Sequence, residues 1–88
     1  MNVEEIFDEI EEKKKKVQKI KEKERYYITR DFTWQVMLGF SDFALLRKWH
    51  VSVFYEHELL AHKSFRKYED ALRFYEECVE EVKRRYEK

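Results

Sequence analysis

The chain has 88 residues, with nineteen Lys or Arg against nineteen Asp or Glu and a formal net charge of zero. That length makes one domain, residues 1–88, and the neutral balance excludes avid nonspecific attraction to nucleic acid or anionic lipid. One Gly and no Pro exclude a glycine-rich phosphate loop, and the single Cys78 excludes an internal disulfide.

Charged residues make up 43% of the chain, yet seven Phe, six Tyr and two Trp supply enough bulk for a packed core. Cys78 stands among apolar residues, so a buried thiol and a cytoplasmic setting are expected. No long apolar run is present, so neither a signal peptide nor a membrane span is expected. Abundant Lys and Glu with short loops point to a thermophile source.

Residues 1–25 read as one charge-polarised amphipathic helix. Residues 1–12 carry Glu4, Glu5, Asp8, Glu9, Glu11 and Glu12 and no basic group, whereas residues 13–25 carry eight basic groups against Glu22 and Glu24. Asn2 followed by Glu5 has capping-box spacing and starts the helix at Val3. Val3, Ile6, Ile10, Val17 and Ile20 then form a heptad seam with Lys13 in the missing slot. Near the start Phe7 widens this stripe. Glu9–Lys13, Glu11–Lys15 and Glu12–Lys16 are favourable i,i+4 pairs.

From Ile28 the period changes to two. Phe32, Trp34, Val36, Leu38 and Phe40 alternate with Thr33, Gln35, Met37 and Gly39, as in a half-buried strand. Ser41-Asp42 is the best turn signal. Trp49, Val51, Val53 and Tyr55 share one face of a second strand, and a three-residue turn at Glu56-His57-Glu58 returns a third, Leu59 to Phe65. This register sets Tyr55 by Leu59, Val53 by Ala61 and Trp49 by Phe65, with Phe54 by Leu60 and Ser52 by His62 on the other face.

Helical spacing resumes at Tyr68, Ala71, Leu72, Tyr75, Cys78, Val79, Val82 and Tyr86. The expected fold is α+β: a two-layer α-β-β-β-α arrangement with a three-stranded antiparallel sheet over 26–66 and long terminal helices at 1–25 and 67–88. The order resembles that of double-stranded-RNA-binding domains. Arg66-Lys67 stand where their basic stretch opens the second helix, and Glu69-Asp70 follow at once. A three-stranded sheet followed by a helix also resembles the arm-binding domains of phage integrases.

The first helix is the main candidate for a partner surface. A helix of this length spans about 36 Å and an eight-residue strand about 27 Å, so one or two turns overhang the sheet. The expected function is a small non-enzymatic protein-interaction or regulatory module, self-associating as an antiparallel homodimer. Val3, Ile6, Ile10, Lys13, Val17 and Ile20 would form the seam, with Phe54 and Leu60 on the open sheet face as further contacts. The alternative is a small DNA- or RNA-binding protein that meets phosphates through Lys13, Lys14, Lys15, Lys16, Lys48, Lys63, Arg66 and Lys67. His50 and His62 fall on one sheet face, but no third or fourth ligand accompanies them, so no metal site is expected. No cofactor and no catalytic residue are expected, because no serine, histidine or paired carboxylates stand in a catalytic spacing.

Overall fold

The computed structural model describes residues 2–41 and 48–87. Helix α1 spans Val3–Lys23 and begins as the Asn2 spacing requires: the Asn2 Oδ1 accepts the Glu5 N–H at 2.9 Å. It stops at Glu24, whose backbone is extended at φ −68° and ψ 148°. The Arg25 guanidinium then folds back to donate to the carbonyls of Glu22 and Glu24, at 2.8 and 2.9 Å, occupying orphan acceptors of the last turn.

Four strands follow in an antiparallel meander: β1 Arg25–Ile28, β2 Trp34–Ser41, β3 Lys48–Tyr55 and β4 Glu58–Phe65, side by side in that order. The sheet therefore has one strand more than the period-two reading predicts. The added strand, β1, pairs Arg25 with Leu38 and Tyr27 with Val36. Phe32 does not belong to a strand: it sits in the β1–β2 turn at φ 63°, largely exposed. Asp31 organises that turn, accepting from Thr29 Oγ1 at 2.8 Å, Thr33 Oγ1 at 2.7 Å and the Thr33 N–H at 3.2 Å. These bonds, led by the Thr33 hydroxyl, hold the Asp31 carboxyl below its ordinary pKa. Thr29, the one buried polar residue among the described residues, is satisfied there, and its hydroxyl also accepts the Trp34 N–H at 3.1 Å.

The β3–β4 turn has two residues, not three. Glu56 and His57 both adopt positive φ, 46° and 69°, as the twist of a two-residue hairpin demands. Tyr55 therefore pairs with Glu58 and Phe54 with Leu59. A bulge beside Val53/Phe54 absorbs the one-residue difference, so Val53–Ala61, Ser52–His62 and Trp49–Phe65 still pair as the hydrophobic pattern predicts. Leu60 is the extra residue at that bulge. The expected Ser41-Asp42 turn lies outside the described residues beyond Ser41, which ends β2.

Helix α2, Tyr68–Tyr86, contributes Ala71, Tyr75, Val79 and Val82 to a core shared with Val36, Leu38, Trp49 and Val51. These eight residues lie at the helical and strand periods expected of one buried stripe against one sheet face. Phe40 and Tyr68 pack on either side of Trp49, with centroids 4.9 and 4.8 Å away. Cys78 lies at the margin of this core, where burial pushes its thiol pKa up. Tyr27 donates its hydroxyl hydrogen to the Glu87 carboxylate, which also accepts the Arg30 N–H at 3.0 Å, fastening the end of α2 to the β1–β2 hairpin.

Helix α1 has no such cover. None of its residues is buried, and of its apolar stripe only Ile20 packs against the core. Tyr68 makes the other link, donating its hydroxyl hydrogen to the Lys23 carbonyl at 3.1 Å beneath the Lys23 ammonium. The molecule measures 57 × 26 × 20 Å. The 21 residues of α1 alone reach about 32 Å, which accounts for the length of the long axis.

Candidate functional site

The sequence places the seam of α1 on one face by spacing alone, and the fold leaves that face in water. Val3 is 69% exposed, Ile6 40%, Ile10 43% and Val17 50%, with Phe7 beside them at 56%. Such a row on an isolated helix has no intramolecular reason to be apolar, because helix stability in proteins comes chiefly from packing an amphipathic face. The overhang is larger than the expected one or two turns: contact with the body begins only at Ile20. Lys13 lies in the middle of the stripe, between Ile10 and Val17. Within α1 the ion pair Lys14–Glu11 is long, at 4.0 Å, so most of the charge of both signs remains on a solvated rod.

The sheet face opposite α2 forms a second surface. The pairings put Tyr26, Met37, Ser52 and His62 side by side across four strands, with Phe54 beside Leu59. Gly39 leaves an opening here, since a Cβ built on it would meet nothing within 4 Å. The result is a shallow depression of about 410 Å³ lined by Tyr26, Met37, Gly39, His50, Ser52 and Phe54 among others. Phe54 is half-buried, whereas Leu59 and Leu60 are 54% and 59% exposed. Leu59 therefore shares the face of Phe54 instead of the core face expected for it. Tyr26 and the depression at Gly39 escape sequence reasoning. The first stands on the unpredicted strand, and the second exists only through the neighbours that surround the glycine.

On this same face the His50 Nδ1 lies 2.8 Å from the His62 Nε2, and the Ser64 hydroxyl lies 3.1 Å from the same His50 nitrogen. Burial, followed by the charges of His62 and Lys48, lowers the His50 pKa.

The basic residues of the alternative reading are not gathered together. Lys13, Lys14, Lys15 and Lys16 ride on the projecting part of α1. Lys48 pairs with Ser41 on the face of the two histidines, while Lys63 pairs with Val51 on the opposite face. There the Lys63 ammonium sits over Phe65 and Phe74, 5.3 and 5.1 Å from the ring centroids. Arg66 and Lys67 connect β4 to α2. Lys48 and Lys63 thus stand on opposite faces of the sheet.

Among the described residues no cluster of three or more His, Cys, Asp or Glu is placed to hold a metal ion, and no helix is long and apolar enough to cross a membrane. Comparisons with protein-family models, with curated proteins and with solved structures give no match.

Proposed function

We propose that the protein is a non-enzymatic interaction module, a two-layer body of sheet and α2 carrying α1 as an arm through which two copies associate. The observation that carries this reading is the apolar stripe of α1, exposed from Val3 to Val17. A dyad placed between Glu11 and Glu12 makes the arrangement concrete. In an antiparallel pair it sets Val3 against Ile20, Ile6 against Val17 and Ile10 against Lys13. At the positions that flank this seam, Glu9 of each copy faces Lys16 of the other, and over the whole length the acidic half of one helix lies along the basic half of its partner. A parallel pair would place the like-charged ends together. Charge therefore selects orientation, and the apolar seam supplies the attraction. Lys13 at the seam costs stability but restricts register and oligomer size.

Sedimentation equilibrium on the intact chain tests this. A dimer is expected at micromolar concentration, and Ile10→Asp with Val17→Asp should give a monomer whose sheet remains folded. Glu9→Lys should also weaken the dimer, and adding Lys16→Glu in the same chain should restore it, because the flanking pair again carries opposite signs. A wild-type chain that remains monomeric at high micromolar concentration overturns the proposal.

A further inference from the structure

The pairing of β3 with β4 sets His50 opposite Ser64 and Ser52 opposite His62, which makes the two histidines diagonal neighbours on the sheet face away from α2. Their rings lie 4.9 Å apart between centroids and 25° from parallel, with the His50 Nδ1 and His62 Nε2 separated by 2.8 Å. The two nitrogens face each other at the separation of an N–H···N hydrogen bond. With both hydrogens on the outer nitrogens and the rings turned outward, the two lone pairs can meet one ion in front of the sheet.

Metal–imidazole bonds of about 2.0–2.1 Å set at a right angle hold their two nitrogens about 2.9 Å apart, whereas the tetrahedral angle holds them about 3.3 Å apart. The observed 2.8 Å is nearer the right-angled separation, and an outward turn of the rings that shortens the 4.9 Å between their centroids reaches that arrangement. Right-angled sites with nitrogen and oxygen ligands suit Cu(II) and Ni(II), and the general affinity order places Cu(II) above both Ni(II) and Zn(II). We infer that His50 and His62 together chelate a divalent late transition metal, Cu(II) in preference to Ni(II) and Zn(II).

No third His, Cys, Asp or Glu joins the pair among the described residues, so water completes the coordination sphere. Ser64, with its hydroxyl 3.1 Å from the His50 Nδ1, is placed to hydrogen-bond such a water. Lys48, two residues before His50 on the same strand face, opposes the incoming charge, and Lys48→Gln should tighten binding. The site needs nothing from α1 and is independent of self-association.

The experiment is titration of untagged, metal-free protein with Cu(II), Ni(II) and Zn(II) by calorimetry, with electron paramagnetic resonance on the copper complex. One Cu(II) per chain, a raised Tm and nitrogen couplings from two imidazoles are expected. His50→Gln and His62→Gln should each lower the affinity by at least about tenfold, as loss of a chelate partner does. His57→Gln, which changes the histidine of the β3–β4 turn, should leave it unaltered. The Tm of each variant without metal keeps loss of folding separate from loss of binding. The inference fails if wild type shows no binding at high micromolar Cu(II), if one metal binds per two chains, or if His57→Gln weakens binding as much as the other two.

Discussion

The indole of Trp34 lies flat on the ring of Tyr86, with centroids 4.3 Å apart and planes within 11° of parallel. Tyr55 approaches the same indole from another side at 5.0 Å. This stack closes the end of the core where α2 finishes. Aromatic pairs contribute about 0.5–1.5 kcal/mol beyond their burial, so Tyr86→Ala should destabilise the body by about 1–2 kcal/mol. Tyr86→Phe should cost little, because the ring makes the contact. Urea unfolding of both variants, followed by Trp34 fluorescence in a Trp49→Phe background, distinguishes these outcomes.

The bond from Tyr27 to Glu87 gives the fold two pH limits. The Tyr27 hydroxyl and then the Arg30 N–H lower the Glu87 pKa from its ordinary 4.5, while the bond to Glu87, then burial, raises that of Tyr27 from 10.0 to about 12. A lowered carboxyl favours the fold above about pH 4.5 and loses that effect as pH falls through the lowered value. A raised phenol favours the fold below about pH 10 and loses that effect as pH rises towards 12. Tyr27→Phe should weaken both limits of a Tm-against-pH profile, since Tyr75, whose phenol pKa burial raises, still contributes at the alkaline end and Asp31 at the acid one. A profile superimposable on wild type would contradict the assignment.

Within α1, Val17 and Ile20 should behave as opposites. Ile20 packs on the core, whereas Val17 is half exposed. At concentrations too low for association, Ile20→Ala should cost about 1 kcal/mol, a partial version of the buried large-to-small penalty, and Val17→Ala less than about 0.5 kcal/mol. If the proposed dimer forms, raising the concentration should make Val17→Ala costly. Chemical denaturation at two protein concentrations reads both effects.

The hairpin residues Glu56 and His57 hold left-handed backbone conformations that side chains disfavour by about 1–2 kcal/mol per residue. Asn and Gly suit those positions. Glu56→Asn with His57→Gly should therefore stabilise the body by about 1 kcal/mol, a rise in Tm of about 4–8 °C for a domain of this size. Calorimetry on the double variant checks it.

Helix α2 and the central strands were legible because their apolar positions repeat with one period over many residues. Val36, Leu38, Trp49 and Val51 face the core as their alternation demands, and Ala71, Tyr75, Val79 and Val82 do so at helical spacing. Strand β1 was not legible. Its four residues follow α1 with only Glu24 between, and the helix ends through an arginine bonding back to carbonyls, without Gly or Pro to mark the place. Phe32 satisfied the alternation, but the Asp31-centred turn takes it out of the strand. At Glu56-His57 the turn lacks the Asn or Gly that would have shown its length, and the bulge then concealed the error from Val53 onward. The α1 seam was readable because helical spacing is local. The extent of its exposure was not, since that depends on where the body ends.

Lys63 stands exposed on the α2 face of the last strand, with its ammonium over Phe65 and Phe74. A further strand added at that border would crowd this charge and cost part of its hydration, which hinders such addition. The other border of the sheet, β1, is only four residues long and offers little template. Lateral growth of the sheet is thereby hindered at both of its borders, and open-ended strand addition with it.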